Sequence, residues 1–229
     1  MNVQGYQKLT LLDFPGVVAC TVFTGGCNLR CPFCHNAGLV LTPHEADSME
    51  PEVLEYLGRR KGLLEGVCIT GGEPLLQPDL EAFVQKVKAL GYRVKLDTNG
   101  SLPDRLQAIL DTGLIDYVAM DVKSSPNGYR KATGASIDPT VFEKSIRLLQ
   151  NSGIAHEFRT TAVKGIHTVE DFTEIGKWLA SDSPYFIQTF VNSQNLIGSG
   201  CDAFSEDETQ ALLEAVQPYL PLAKLRGQS

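Results

Sequence analysis

The sequence of 229 residues has no long apolar run, no excess of basic residues and no low-complexity segment. No stretch approaches the roughly 18 apolar residues that a membrane helix needs, and no basic segment followed by an apolar run opens the chain. The formal net charge of −7 argues against a nucleic-acid-binding protein, because such proteins neutralise phosphates with a basic surface. We therefore expect a soluble, cytoplasmic protein that binds neither a membrane nor a nucleic acid.

The chain also lacks an internal repeat or a linker that would mark a second domain. Its length suits one hydrophobic core, and its hydrophobic content of 43% is that of a globular protein rather than a disordered one. The sequence therefore predicts a single domain over residues 1–229.

Six cysteines are present, but nothing in the sequence directs the chain to an oxidising compartment, so disulfides are not expected. Cys20 and Cys68 lie within strand-like apolar runs, where a cysteine acts as a small buried hydrophobic side chain. Cys201 lies in a glycine-rich loop with no further metal ligand nearby in the sequence, and its role stays open.

The other three cysteines, Cys27, Cys31 and Cys34, have the spacing C-x3-C-x2-C on a loop that begins with two glycines. Three thiolates this close can converge on one soft metal centre. A tetrahedral zinc site would want a fourth ligand, which His35 could supply, whereas an iron–sulfur cluster on three cysteines leaves one iron open. A cluster site is favoured, and a non-catalytic zinc module remains an alternative.

Strand-like runs alternate with helical segments along most of the chain. Six such repeats indicate parallel strands joined by right-handed crossovers, which occur in doubly wound sheets and in barrels. Polar motifs after the strands favour an α/β fold of the incomplete (β/α)6 TIM-like barrel type, because barrel enzymes build their sites there. The predicted strands are 17–24, 66–70, 92–96, 115–120, 156–161 and 185–190, and the predicted helices are 51–61, 78–90, 103–111, 139–151, 169–180 and 206–216.

Four polar motifs follow or end the predicted strands. The segment Gly71-Gly72-Glu73-Pro74 allows backbone to approach a ligand closely, although it could also be a plain turn. Asp97 opens an Asp-Thr-Asn-Gly turn. Asp121 and Lys123 are two apart on a strand, so their side chains share a face and could form an ion pair. Arg159 lies on the next strand and suits a carboxylate ligand.

Taken together, these motifs resemble the signature of the radical S-adenosylmethionine (SAM) enzymes. The resemblance implies that Cys27, Cys31 and Cys34 hold a [4Fe–4S] cluster whose fourth iron is chelated by SAM. It implies that no side chain is catalytic beyond the cofactor ligands. By position, the cofactor-binding residues would be Phe33, Gly71, Gly72, Glu73, Asp97, Asp121, Lys123 and Arg159.

Two further runs resemble the glycyl-radical-enzyme activases within this superfamily. They are C-x-x-C-H-N, which ends at Asn36, and the lead-in L-x-D-x-P-G, which ends at Gly16. The resemblance implies hydrogen abstraction from a glycine of a partner enzyme, namely anaerobic ribonucleoside-triphosphate reductase, with flavodoxin or ferredoxin as the one-electron donor. A small-molecule enzyme of the 7-carboxy-7-deazaguanine synthase type is the alternative within the superfamily.

The sequence departs from the activase pattern after the sixth predicted strand. Some activases carry a histidine there, whereas this chain has Gln188-Thr189-Phe190-Val191-Asn192. Gln188 or Asn192 is the candidate for that place.

Overall fold

Eight strands and eight α-helices make up the regular structure of the computed structural model, which describes residues 1–43, 48–193 and 195–227. The strands are β1 (Val3–Thr10), β2 (Ala19–Thr24), β3 (Gly66–Gly71), β4 (Arg93–Thr98), β5 (Tyr117–Asp121), β6 (Ala155–Ala162), β7 (Tyr185–Thr189) and β8 (Ala223–Arg226). The helices are α1 (Ala37–Leu41), α2 (Glu50–Arg59), α3 (Leu80–Ala89), α4 (Pro103–Asp111), α5 (Tyr129–Thr133), α6 (Pro139–Asn151), α7 (Val169–Leu179) and α8 (Glu206–Val216), and a 3-10 turn lies at Pro74–Leu76.

The strands follow one another in chain order, from β1 to β8. Strand β1 is antiparallel to β2, whereas β2 with β3, β3 with β4, β6 with β7 and β7 with β8 are parallel pairs. Helices connect the successive strands from β2 to β7, as right-handed β-α units require. This topology confirms the predicted α/β class and the six β-α units of an incomplete (β/α)6 barrel.

Contacts between Cα atoms divide the chain into two compact units. The first comprises Met1–Asn28, Asn36–Thr98 and Asp104–Val118, and the second comprises Leu29–His35, Asn99–Pro103 and the chain from Ala119 onward. Strand β5 contributes its first two residues to the first unit and its last three to the second. The organisation of residues 1–229 as one domain stays a prediction.

In the first unit, β2 and β3 pair in parallel register from Ala19 opposite Gly66 to Thr24 opposite Gly71. Both strands are almost entirely buried, and Cys20 and Cys68 are fully buried within them, as predicted. Nearly continuous burial of this kind is typical of parallel strands that are covered on both faces. The register brings the last residues of the two strands side by side.

In the second unit, β6 alternates between a buried and a less buried face. Phe158 and Thr160 are buried, while Arg159 between them is only partly buried and faces the other way. Glu157 is nevertheless buried, because both of its carboxylate oxygens accept hydrogen bonds from Arg226 on β8, at 2.7 and 2.8 Å.

The sequence prediction was wrong at both ends of the sheet. No strand was predicted before residue 17, but residues 3–10 form β1. This strand has exposed and half-buried residues in succession rather than alternation, because it pairs through its backbone with β2 at the sheet edge. The four-residue β8 was not predicted, since it is too short to show a periodic pattern.

Among the helices of the described residues, none combines the length and the apolar character that a membrane span requires.

Candidate cofactor-binding site

The cysteine loop begins in the first unit, directly after β2. Gly26 has φ of +86°, a conformation that favours glycine, and its N–H donates to the carbonyl of Leu39 over 2.8 Å. The carbonyl of Gly26 accepts the N–H of Glu73, also at 2.8 Å. Cys27 follows at once and is partly buried. The start of the loop is therefore fixed by backbone bonds to two other segments of the same unit.

The middle of the loop belongs to the second unit and holds Cys31 and Cys34. The N–H of Cys34 donates to the carbonyl of Cys31 at 3.0 Å, which closes a tight turn around Pro32. The backbone N–H of Arg30 donates to the carbonyl of Thr133, and the N–H of Gly198 donates to the carbonyl of Pro32, each at 2.8 Å. Residues 29–35 are thus held by the last residue of α5 and by the segment that follows β7.

The donor chemistry of the loop fits an iron–sulfur cluster, since cysteine thiolates are the ligands that such clusters take. Cys27 lies in the first unit, and Cys31 and Cys34 lie in the second. In the described part of the chain, no group of three or more His, Cys, Asp or Glu side chains is arranged to hold a metal ion, and none of the six cysteines forms a disulfide. Cluster ligation by the three cysteines therefore stays a prediction.

The Gly-Gly-Glu-Pro turn packs against the root of the cysteine loop. Gly71 has φ of +113°, and a Cβ there would overlap the backbone of Thr24. A Cβ on Gly72 would overlap the carbonyl group of Gly26. The N–H of Gly72 donates to the backbone carbonyl of Thr24 at 2.9 Å. Only glycine fits at these two positions, because the backbone of the cysteine-loop segment lies so close to them. This requirement is separate from any role of the two glycines toward SAM.

Glu73 is fully buried and accepts hydrogen bonds from its own unit. Its Oε1 accepts the N–H of Leu75 at 3.1 Å, which caps the 3-10 turn, and the hydroxyl of Thr98 at 2.8 Å. The glutamate thus links the ends of β3 and β4. This structural role was not predicted from the sequence. Its predicted contact with SAM stays a prediction.

Asp97 forms an ion pair with Lys95, a residue that the sequence reading missed. The Lys95 ammonium donates to Oδ1 of Asp97, and the Cys68 thiol also points to this oxygen, with Sγ 3.7 Å away. Lys95 is 1% exposed and the Asp97 side chain 12% exposed. The signal for Lys95 was its position two residues before Asp97 on one strand, which places both side chains on the same face.

Asp121, Lys123 and Arg159 form a charged cluster in the second unit. Oδ2 of Asp121 accepts from Nζ of Lys123 at 2.9 Å, and Oδ1 accepts from Nε of Arg159 at 2.8 Å. The structure thus brings together the three charged residues that the sequence predicted on successive strands. Two cations share one carboxylate, so the cluster has a net charge of +1.

The charges in this cluster stabilise one another's ionised forms. Burial alone would raise the pKa of Asp121, but the nearby Arg159 and Lys123 outweigh it and hold the pKa well below its usual value. Burial alone would lower the pKa of Lys123, but the Asp121 carboxylate raises it above its usual value. Negative charge on Cys31 and Cys34 contributes to the same increase in the Lys123 pKa. Two of the three predicted cluster ligands therefore interact electrostatically with the Lys123 ammonium.

His167 supports both Phe33 and Lys123, and the sequence reading missed it. Its Nδ1 accepts the N–H of Val163 at 3.1 Å, so Nε2 carries the proton and donates to the carbonyl of Lys123 at 2.8 Å. The imidazole lies edge-on to the Phe33 ring, with 6.1 Å between ring centres. Burial lowers the pKa of His167, which favours this neutral form. A lone histidine between a strand and a helix gave no sequence signal.

His35, the fourth ligand in the zinc alternative, contacts the segment after β7. Its Nε2 lies 2.7 Å from the carbonyl oxygen of Val191, and its ring stacks on Phe190 with 5.4 Å between centres. These contacts do not test whether Gln188 or Asn192 takes the place of the histidine that some activases carry, and that call stays a prediction.

The fold and these strand-end motifs define an α/β enzyme of the partial-barrel class. The family model described as the Radical SAM superfamily matches residues 21–179, and the chain belongs to this superfamily. Its members use a [4Fe–4S] cluster and SAM, which confirms the two cofactors predicted from the sequence. Because the chain belongs to this superfamily, the cysteine loop is better explained by an iron–sulfur cluster than by the alternative zinc module.

Two relatives and one solved structure illustrate the family. The "Putative glycyl-radical enzyme activating enzyme MJ1227" of Methanocaldococcus jannaschii is 32% identical, over 82% of this chain and 79% of that protein. A 7-carboxy-7-deazaguanine synthase of Hyperthermus butylicus is 42% identical, over 39% of this chain and 38% of that protein. A domain of the pyruvate-formate lyase-activating enzyme of Bacteroides vulgatus matches with a TM-score of 0.59 and 19% identity, over 71% of this chain and 99% of that domain.

Proposed function

We propose that the chain is a radical SAM activase, which abstracts a hydrogen atom from a glycine of a partner enzyme. The observation that carries this proposal is the extent of the similarity to the M. jannaschii activating enzyme, which reaches over 82% of the chain. The similarity therefore extends well beyond the cysteine loop and the SAM motifs that all members share. The C-x-x-C-H-N run supports the same group.

The cofactors would be held by the residues that the sequence singled out. Cys27, Cys31 and Cys34 would ligate the cluster, and Phe33 would pack beside it. When bound, the cluster and SAM together supply one-electron cleavage of SAM and the radical that takes the hydrogen atom. The residues that would hold SAM are Gly71, Gly72, Glu73, Asp97, Asp121, Lys123 and Arg159.

The charged cluster of the second unit is suited to the amino-acid part of SAM. Its surplus positive charge complements a carboxylate, which Lys123 would bind, while Asp121 would accept a hydrogen bond from the ammonium. Arg159 would keep Asp121 ionised and oriented when Lys123 turns to the ligand. The internal ion pairs therefore keep the three side chains in place before SAM binds.

The partner would be anaerobic ribonucleoside-triphosphate reductase, and flavodoxin or ferredoxin would donate the electron. We place the reaction in the cytoplasm. None of the candidate cofactor-binding side chains would carry out the radical chemistry itself. The protein contributes by binding and orienting the cofactors and by keeping water from the radical.

An electron paramagnetic resonance experiment tests the proposal. The anaerobically reconstituted protein is incubated with SAM, dithionite and the reductase encoded in the same genome, and glycyl-radical formation on the reductase is measured. We expect a glycyl signal with the wild-type protein and none with Cys34→Ala. Formation of 5′-deoxyadenosine without any glycyl signal would refute the assignment of the substrate while leaving the radical SAM chemistry in place.

The second candidate is a small-molecule enzyme of the 7-carboxy-7-deazaguanine synthase type, and one observation favours it. The H. butylicus synthase has the higher identity, 42%, although only over 39% of this chain. If deoxyadenosine formation is stimulated by the synthase substrate and not by the reductase, this candidate replaces the activase.

A further inference from the structure

The exit of the cysteine loop makes a polar contact through Asn36, the last residue of the C-x-x-C-H-N run. Asn36 follows the loop directly, and its Nδ2 donates to the carbonyl oxygen of Gly71 at 3.0 Å. Both residues lie in the first unit. The bond connects Asn36 to the first glycine of the Gly-Gly-Glu-Pro turn, 35 positions further along the chain.

The local role of Asn36 does not explain this contact. Asn36 is the N-cap residue of α1, a position at which asparagine normally accepts a hydrogen bond from the helix through its side-chain oxygen. Here the side chain makes no capping bond. The amide instead donates from its nitrogen to a distant carbonyl, which an ionised aspartate side chain of the same size cannot do because it only accepts hydrogen bonds.

The contact fixes one particular peptide group. The carbonyl of Gly71 is held by Asn36, and the N–H of Gly72, in the same peptide plane, donates to Thr24 over 2.9 Å. Glycine at positive φ leaves such a plane able to rotate unless both of its polar groups are bonded. The Gly71–Gly72 peptide is therefore held from the strand on one side and from the loop exit on the other.

A second amide holds the entrance of the same loop. Nε2 of Gln77, which is buried, donates to the carbonyl of Gly25 at 2.8 Å, and its Oε1 accepts the N–H of Asn2 at 3.1 Å. The two amides thus attach the two ends of the cysteine loop to the segment 71–77.

We propose that Asn36 is a positioning residue for SAM binding, which orients the Gly71–Gly72 peptide relative to the exit of the cysteine loop through its side-chain amide. Gln77 has the companion role at the loop entrance. The inference rests on the cofactor sites proposed above. It predicts that loss of either amide donor weakens SAM binding without removing the cluster.

The test compares Asn36→Asp and Asn36→Ala with Asn151→Ala as the matched control. Asn151 also donates from Nδ2 to a backbone carbonyl, that of Arg147 at 2.7 Å, but it is exposed at the end of α6. Each anaerobically reconstituted protein is assayed for iron content, melting temperature and SAM affinity, the last from the change that SAM causes in the electron paramagnetic resonance spectrum of the reduced cluster.

Loss of one hydrogen bond predicts that SAM affinity falls about three- to tenfold in both Asn36 variants, with iron content unchanged. Asn36→Asp is the discriminating variant, because aspartate is a good N-cap and should keep or raise the melting temperature. SAM affinity equal to that of Asn151→Ala would overturn the inference.

Gln77→Glu provides an independent test at the loop entrance. Glutamate keeps the acceptor for Asn2 and loses the donor to Gly25, so the same three- to tenfold weakening of SAM binding is expected, and its absence would contradict the inference. If the wild-type protein itself shows no spectral change with SAM, the proposed function fails and the inference fails with it. A wild-type response together with unaffected variants overturns the inference alone.

Discussion

Arg159 donates from Nε to Oδ1 of Asp121 over 2.8 Å, and this bond joins the middle of strand β6 to the last residue of strand β5. The other carboxylate oxygen is bonded to Lys123. Because each oxygen of Asp121 has its own cation, the carboxylate cannot rotate without losing a charged hydrogen bond. The orientation of the cluster is thus set within the protein.

Replacement of Arg159 by Met should weaken SAM binding by roughly ten- to a hundredfold, the range that corresponds to one hydrogen bond to a charged group. Asp121 and Lys123 would then neutralise each other, and no surplus positive charge would remain for the SAM carboxylate. Arg147→Met is the control, since Arg147 is an exposed residue of α6 that donates to the Trp178 carbonyl and is not among the predicted SAM ligands. Equal SAM affinity in Arg159→Met and the control would contradict the prediction.

Glu73 allows its structural and its cofactor roles to be separated. Glu73→Gln keeps an oxygen that can accept from Leu75 and Thr98, so the free energy of unfolding should change by less than about 1 kcal/mol. Glu73→Ala removes the cap and leaves the Thr98 hydroxyl without this acceptor, at a cost of about 2 kcal/mol.

Urea unfolding and SAM cleavage are measured on the same preparations. If the Glu73 charge contacts SAM, deoxyadenosine formation should fall at least about tenfold in Glu73→Gln despite its near-normal stability. Cleavage at the wild-type rate in Glu73→Gln would limit this residue to the structural role.

Gly72→Ala should prevent the turn from forming, because the added methyl group would overlap the carbonyl group of Gly26. We expect destabilisation by more than about 3 kcal/mol or failure to fold, as for other overpacked positions where backbone must move. Gly58→Ala is the matched control. Gly58 lies near the end of α2 with open space around it, so alanine there should stabilise the protein by about 0.5–1 kcal/mol. A Gly72→Ala protein as stable as the wild type would contradict the packing shown here.

His167 should contribute a pH-dependent term to stability. Burial lowers its pKa below the ordinary value of about 6.5, so the folded protein binds fewer protons than the unfolded chain below that pH. The contribution is therefore complete above about pH 6.5 and is lost as the pH falls toward the folded pKa.

His167→Gln should flatten this dependence while keeping a donor for the Lys123 carbonyl. The difference in melting temperature between about pH 7.5 and about pH 5.5 should be smaller in the variant than in the wild type. An unchanged difference would show that other groups cause the acid sensitivity.

The regular part of the fold could be predicted from the sequence because its signals are local. Strands β2 to β7 and the longer helices between them have apolar runs, helix-opening prolines and turn residues, and their predicted ranges agree with the observed ones within a few residues. The five-residue helices α1 and α5 were not predicted, because they are too short to show a periodic pattern. Strand β1 has no such signal. Its residues pair with β2 through backbone groups, an interaction that depends on the partner and not on the side chains.

The candidate site shows the same limit. Asp121 and Lys123 were predicted because a strand places them on a common face, and Arg159 because it lies on the next strand and suits a carboxylate. The structure brings the three into one cluster. Lys95 could have been found from its position two residues before Asp97 on one strand. His167 contacts Phe33 and Lys123 from within the core, and a single histidine between a strand and a helix carries no sequence pattern. Its contacts depend on tertiary packing, which the sequence alone does not contain.

The central claim is that Cys27, Cys31 and Cys34 hold the cluster that cleaves SAM, and the direct test is deoxyadenosine formation by Cys31→Ala under dithionite. Cys20→Ala and Cys201→Ala are the controls. Burial raises the pKa of Cys20 to about 12, so this residue stays a thiol and is a poor ligand. We predict no deoxyadenosine from Cys31→Ala and normal amounts from both controls. Persistent SAM cleavage by Cys31→Ala would contradict the account.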